Sequence, residues 1–562
     1  MHRFVKSGLF FLLCISTGCR KSPEATSTGE VTAVNPPANV VELVFTYGSE
    51  KEEWVKSVTS KFNSAQNKVG SGKIIAIKAM PLGSGECIDS LLNESIKADL
   101  TSPASAAFVK LGNAQSRTKT GKDLIASSDN LLLSPVVIAM WKPMAEALGW
   151  PDKAVGWSDI LVMAGTQGGW KARGFPQWGE FKFGHTHPEF SNSGLISLFA
   201  EVYAATGKKA GLTLSDVQNP QTATYLSGIE HSVVHYGSST GFFGKKLFSN
   251  GPEYLSAAVL YENMVIESYS GKYNLPFPVV AIYPKEGTFW SDHPVGIVER
   301  EWVTPERREA AKKYIQFLLD RPQQEKALEF GFRPALPEIA LTAPIDPAHG
   351  VNPKEPQTTL EVPTVDVMNA TLQLWRQNKK RSSVTLVFDV SGSMKADDKI
   401  GSAKMGGLEL LDKIDDADFF ALAPFNEVVM GATPPSPLAG RRQNYETQIK
   451  SLFASGGTAL YDAIDSAFQV QMASRKNSSD QITAIVVLTD GADSDSKIKL
   501  NDLLKRIKSN EETRNIRVFT IGYGNDAQKD VLEKIAQATQ AKFYQGTPEN
   551  IREVFKDIST FF

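Results

Sequence analysis

Two long stretches of this chain alternate short apolar runs with amphipathic segments, and a proline-rich interval separates them. In the first stretch, Val41 to Phe45 reads as a strand and Tyr47-Gly48-Ser49 as the loop after it. Trp54, Val55, Val58 and Phe62 then recur at the spacing of one helix face. Ile74 to Ile77 predicts a second strand, and Pro81-Leu82-Gly83-Ser84-Gly85 leads into another helix. Ala98-Asp99-Leu100 runs into Thr101-Ser102-Pro103-Ala104-Ser105, so small hydroxyl-rich loops recur at strand ends. Leu131 to Met140 is a longer apolar run that Ser134-Pro135 is expected to break, as where a chain crosses between lobes. Thr304 caps a helix with Pro305 at its first position and Ala311, Tyr314, Ile315 and Leu318 facing inward. This alternation predicts an α/β domain with a ligand cleft at one edge of its sheet.

The interval carries Pro344, Pro347, Pro353, Pro356 and Pro363 with little apolar pattern, as in a semi-rigid connector. Val365 to Trp375 reads as a helix, and the basic run Arg376 to Arg381 as its solvated end. Beyond it, Val384 to Phe388, Asp418 to Phe425, Ile482 to Leu488 and Ile516 to Ile521 have the near-continuous apolar character of strands buried on both faces. Between and after them, Leu408/Leu411/Ile414, Leu503/Leu504/Ile507, Val531/Leu532/Ile535 and Ile551/Val554/Phe555/Ile558 mark helices. Phe543-Tyr544 reads as a short edge strand and Pro434 to Arg442 as an exposed loop. The pattern predicts a doubly wound sheet.

The chain has 562 residues, too many for one core. Hydrophobic content of 42%, charged content of 22% and a net charge of −2 are those of a globular protein with no reason to bind nucleic acid. At its start, Arg3 and Lys6 precede the apolar run Gly8 to Ile15, too short to span a bilayer, and Ser16-Thr17-Gly18 lead to Cys19. This resembles a bacterial lipoprotein signal, although Ser16 stands where that motif usually has Leu. The resemblance implies cleavage after Gly18, lipid on Cys19 and an extracytoplasmic chain held to a membrane at its periplasmic or cell-surface face. Residues 20–39 lack apolar periodicity and are expected to be a flexible tether. Cys14 would leave with the signal and Cys19 would carry lipid, so only Cys87 remains as a thiol, expected as a buried small hydrophobe.

The chemistry concentrates where Val384 to Phe388 runs into Asp389-Val390-Ser391-Gly392-Ser393. Three oxygen-bearing side chains at i, i+2 and i+4 can converge from one turn, and carboxylate plus hydroxyl suits a hard cation. Thr458 follows Gly456-Gly457 at a helix start, and Asp490 follows the strand Ile482 to Leu488. Together these residues resemble the metal-ion-dependent adhesion site of von Willebrand factor A domains. The resemblance implies Mg²⁺ (or Mn²⁺ or Ca²⁺), hydroxyl ligands from Ser391, Ser393 and Thr458, and charge from Asp389 and Asp490. It also implies a protein partner whose Asp or Glu completes the coordination.

The first stretch resembles type II periplasmic solute-binding proteins. The segments carrying the likeness are Phe183-Gly184-His185-Thr186-His187-Pro188, Ser191-Asn192-Ser193-Gly194, Ala258 to Asn263 and Gly331-Phe332-Arg333-Pro334. Solute contacts are then expected from Ser49, Ser84, Ser102, Ser105, Thr186, Ser191, Ser193 and Glu262, with the helix start at Ser193 and Gly194 suited to an anion. His185 and His187 share a face of an extended segment and His231 and His235 a face of a helix, a pattern that could hold Zn²⁺, although ordinary surface or loop histidines read as well.

The expected architecture is therefore a signal at 1–18, a tether at 19–39, a bilobal solute-binding-protein-like domain at 40–343, a linker and helix at 344–380, and a doubly wound Rossmann-like von Willebrand factor A domain at 381–562. The expected function is non-enzymatic binding, of a protein partner through the metal and of a small solute between the lobes. The alternatives are a transport receptor that delivers solute to a permease, with the second domain docking it, and a phosphatase using Asp389. The latter lacks the usual second acid, since Ser391 holds that place.

Overall fold

A computed structural model describes residues 39–475, 481–508, 516–524 and 527–562. The signal segment and Cys19 lie outside the described residues.

Strand β1 (Val40–Gly48) pairs in parallel with β2 (Ile74–Leu82) on one side and β3 (Leu100–Ser102) on the other. The returning strand β10 (Pro294–Val298) joins β3 to β4 (Ile125–Asn130), completing a first lobe in the order β2-β1-β3-β10-β4. The predicted helix face is the one buried: Trp54, Val55, Val58 and Phe62 all turn inward, and Phe62 meets Tyr314 edge-on at 5.0 Å. Thr304 caps its helix as expected, its hydroxyl accepting from Arg307 N.

The chain crosses to a second lobe at Leu131. There β5 (Leu132–Trp141) is bordered by β7 (Ala257–Tyr261), β8 (Val279–Ile282), β9 (Trp290–Ser291) and β11 (Arg333–Pro334), and β6 (Phe183–Gly184) extends the sheet beyond β7. Contrary to expectation, Ser134-Pro135 does not interrupt the strand. Pro135 pairs only with Trp290, because the ladder to β7 begins at Val136, so its missing N–H costs no sheet bond. The return path runs through Asp292-His293, and a third crossing at Phe332 brings β11 back onto β5.

The last sheet is β14 (Ser436–Pro437), β13 (Phe419–Phe425), β12 (Ser382–Asp389), β15 (Ile482–Thr489), β16 (Ile516–Tyr523) and β17 (Phe543–Gly546), in that order, all parallel except β14. A parallel sheet needs cover on both faces. From β12, Val387 points to the layer of Leu460, Ile464, Leu503 and Leu532, whereas Leu386 and Phe388 point to that of Leu410, Ile551 and Phe555.

The proline-rich interval differs from the expected spacer. It is docked along the second lobe by backbone bonds from Ala281 N to Gly350 O, Thr288 N to Thr358 O and Leu360 N to Thr288 O, with Ile345, Val351 and Leu360 buried. Helix Val365–Asn378 continues this packing through Val367, Met368, Thr371 and Trp375. Nor is the basic run wholly solvated, because Lys379 is buried in a 3.0 Å pair with Asp418 at the foot of the last sheet.

Candidate metal centre and interlobe seam

Parallel strands put their carboxyl ends on one edge of the sheet, and the three segments singled out by pattern meet there. Asp389 ends β12 and is fully buried: its Oδ1 accepts from Ser391 N at 2.7 Å and its Oδ2 from Thr489 Oγ1 at 2.6 Å. Ser391 Oγ lies 3.0 Å from Ser393 Oγ, which donates to Asp490 Oδ1 at 2.6 Å. Thr458 arrives on the loop whose Gly456 O accepts from Gly392 N at 2.9 Å. A Cβ placed on Gly491 would stand 3.6 Å from Thr458 Oγ1 and 3.7 Å from Ser393 Oγ, so both hydroxyls flank this position. All five residues are thus gathered around one small volume, and Ser393 opens it to solvent.

The donor set fits a hard divalent cation: two carboxylates and three hydroxyls, all oxygen. Burial, with Asp490 nearby, pushes the Asp389 carboxyl above its ordinary range, the strain a bound cation relieves. Several supporting groups were not foreseen. Lys399 Nζ donates to Asp490 Oδ2 at 2.8 Å, so one acid already has a resident cation. Asp495 accepts Thr458 N at 2.8 Å, and Glu427 accepts Gly457 N at 3.0 Å, which together orient the threonine loop. The run Asp490-Gly491-Ala492-Asp493-Ser494-Asp495 was a visible signal for Asp495. Nothing in local pattern pointed to Lys399.

In the first domain, Ser49, Ser84, Ser102, Ser105, Thr186, Ser191, Ser193 and Glu262 are all buried. The lobes are closed directly on each other. Ser49 Oγ donates to Ser239 Oγ at 2.8 Å and accepts from Gly241 N at 3.2 Å, and Gly85 N donates to Phe190 O at 2.9 Å. A Cβ on Gly85 would fall 2.1 Å from Glu189 O, so only glycine permits this approach. Thr186 Oγ1, Ser193 Oγ, Thr240 Oγ1 and Ser191 Oγ form a hydroxyl chain of 2.8, 3.0 and 3.2 Å links. The amide of Gly194, offered by the sequence to an anion, donates to Thr186 Oγ1 at 2.8 Å. Ser84 accepts Ala104 N, Ser105 caps Ala107 N, and Ser102 donates to His293 O. Glu262 stands in a bidentate pair with Arg333, at 2.8 and 2.6 Å, and takes the Tyr283 hydroxyl. A cavity of about 260 Å³ opens beside the seam, lined by Ser49, Glu50, Trp54, Lys245 and Asn263 among others.

The four grouped histidines do not form one site. His187 packs against Phe190 and Trp375, His231 is exposed with Nδ1 on Ser227 O, and His235 meets the Tyr254 hydroxyl. Burial holds His187 and His235 well below the usual imidazole range. Cys87 is buried as expected, and burial raises its thiol to about 12.

The last domain touches both lobes of the first. Lys556 lies 3.9 Å from Glu86 of the first lobe and faces the Phe190 ring of the second. Phe561 O accepts from Tyr236 N, and its ring lies against His235.

Comparisons with known proteins match two families to separate parts of the chain. Residues 131–351 match the bacterial extracellular solute-binding protein family, and residues 383–557 match the von Willebrand factor type A domain. Both are typically binding domains. Inter-alpha-trypsin inhibitor heavy chain H2 of Mesocricetus auratus is 26% identical over 191 residues, spanning 32% of this chain and 20% of that protein. The chain covers less than half the length of the curated relatives it matches. Among solved structures, a periplasmic thiamin-binding protein is 16% identical with a TM-score of 0.43, covering 61% of this chain and 96% of that one. Proximal thread matrix protein 1 of the mussel byssus, with a zinc-occupied adhesion-site motif, is 18% identical with a TM-score of 0.27, covering 32% of this chain and 46% of that one. Among the described residues no helix is long and apolar enough to cross a membrane. The chain thus joins a solute-binding-protein domain to a von Willebrand factor type A domain.

Proposed function

We propose that this is an extracytoplasmic binding protein, tethered through lipid on Cys19 and residues 20–39 once the signal at 1–18 is removed. Its type A domain captures a protein partner through a Mg²⁺-class ion, and its first domain takes a small solute between the lobes. The observation that carries the first role is the gathering of Asp389, Ser391, Ser393, Thr458 and Asp490 on one sheet edge, with Ser393 at the open side. Ser391, Ser393 and Thr458 would hold the ion, with Asp389 and Asp490 supplying charge. When bound, the ion would offer an incoming carboxylate a coordination position otherwise held by water.

The chain's own residues shape the rest of the surface. Val428 and Phe453, 57% and 75% exposed, sit on the two loops that carry Glu427 and Gly456. Exposed apolar side chains beside a polar centre suit a protein partner. For the second role, Ser49 and Ser239, bonded to each other across the seam, are the hydroxyls a solute would re-pair with after the lobes part. Glu50, Glu52, Glu53, Glu267 and Glu329 line the adjoining cavity together with Lys245 and Lys272, which pair with Glu52 and Glu53, so the cavity offers charges of both signs to a polar solute.

The test is capture of extracytoplasmic proteins by the mature chain in Mg²⁺ and in chelator. Capture should need Mg²⁺ and disappear in Asp389→Ala. A partner held equally by Asp389→Ala is not held through this site. Small-angle scattering against a panel of polyols, amines and sugars tests the second role, since a solute that binds between the lobes must change their separation or melting temperature.

A further inference from the structure

The second lobe contains a group of side chains that neither proposed role uses. His185 follows β6, Glu201 lies on helix Asn192–Thr206, and Glu230 ends helix Pro220–Glu230; all three are fully buried. Their ligating atoms lie within 4.8 Å of one another. His185 Nδ1 donates to Thr186 O at 2.8 Å, and Nε2 faces Glu230 Oε1 at 3.0 Å, a contact that needs either a second ring proton or a cation between the two atoms. Tyr236 donates to the other oxygen, Glu230 Oε2, at 2.7 Å. Neither oxygen of Glu201 has a hydrogen-bond partner, and the nearby Ser197 hydroxyl donates to Gly194 O instead.

A second ring proton would make His185 an imidazolium that answers Glu230 alone, and Glu201 would still stand unpartnered beside the pair. Two buried carboxylates without a countercharge are costly on desolvation grounds alone. One dication cancels both charges. The surroundings also have the form of an outer shell: a backbone carbonyl fixes the histidine tautomer and a tyrosine hydroxyl fixes one carboxylate. One nitrogen and two carboxylates in a dry setting suit Zn²⁺-class ions, whereas Mg²⁺ and Ca²⁺ prefer all-oxygen shells that keep water.

We infer that His185, Glu201 and Glu230 bind a structural transition-metal dication of the Zn²⁺ class, separate from the adhesion-type site. The ion joins β6 to two helices directly under the linker helix, since Tyr236 packs against Trp375 with ring centres 5.4 Å apart. The competing occupants are protons, one on His185 Nε2 paired with Glu230 and one on Glu201.

Co²⁺ is the probe, supplied during refolding of the mature chain made without a histidine tag and carrying Asp490→Asn to remove the adhesion-type site. The expected result is one Co²⁺ per chain with the visible ligand-field bands of a low-coordinate nitrogen–oxygen site. Glu201→Gln should abolish those bands, and Tyr236→Phe should weaken Co²⁺ about ten- to hundredfold. Absence of Co²⁺ from the refolded parent overturns the proposal. So does a Glu201→Gln protein that melts at or above the parent temperature, because a neutral isostere replaces a protonated carboxyl without loss. If Glu201→Gln does not fold, the parent titration and Tyr236→Phe decide: unchanged Co²⁺ binding in the latter also counts against the site.

Discussion

Lys399 provides the sharpest test of the adhesion-type centre. Its ammonium, 10% exposed, donates at 2.8 Å to an Asp490 carboxylate that is fully buried. A cation entering the site competes with this bond for the same acid. Charge-assisted hydrogen bonds contribute about 1.5 to 3 kcal/mol. Removing the ammonium while keeping Asp490 should therefore tighten Mg²⁺ by about ten- to hundredfold, since about 1.4 kcal/mol is a factor of ten. Calorimetric titration of Mg²⁺ into the parent, Lys399→Ala and Lys399→Gln measures this directly. Without Mg²⁺ both variants should melt below the parent, because a buried carboxylate loses its partner, and added Mg²⁺ should raise their melting temperature more than that of the parent. Equal or weaker Mg²⁺ binding in both variants would refute the reasoning. The ammonium would then serve to orient Asp490 for the ion and not to oppose it.

Three further outcomes follow from other parts of the fold. Gly85→Ala places a Cβ 2.1 Å from Glu189 O, so the lobes should part and the radius of gyration should rise in small-angle scattering; an unchanged profile would contradict the closed seam. Trp375→Ala empties a site bounded by His187 and Tyr236 and should cost about 3 to 5 kcal/mol in denaturant unfolding. Stability should fall steadily as pH drops from about 6.5 toward 2, because of the Glu50–Lys51–His293 group at the crossing. Burial and then Lys51 depress His293 to about 4, so the unfolded chain takes up that proton first. Burial raises the Glu50 carboxyl, but Lys51 and His293 more than offset it and leave it at about 2, so its contribution, complete above the ordinary carboxyl range, is lost as pH falls through it. His293→Gln should flatten the upper part of this profile in thermal melts.

Much of the centre was legible because its information is local. Asp389, Ser391 and Ser393 belong to one turn, and Thr458 and Asp490 each stand at the end of a recognisable element. Strand periodicity put Val384 to Phe388 in the middle of a parallel sheet, and parallel strands bring such turns to one edge. The misread elements have equally physical causes. Ser134-Pro135 carries an ordinary break signal, but whether a proline breaks a strand depends on which edge lacks a partner. Pro344 to Pro363 has the composition of a spacer, yet its backbone found acceptors along the second lobe.

The chain's own pattern determined the two α/β domains, their order and the oxygen set of the exposed centre, because apolar period and turn chemistry act over a few residues. Tertiary structure decided what those groups face. Lys399 reaches Asp490 across 91 positions, Ser49 reaches Ser239 across 190, and His185 meets Glu230 across 45. Such pairings are set by how sheets and helices pack, and no local periodicity encodes the distance between side chains that only folding brings together.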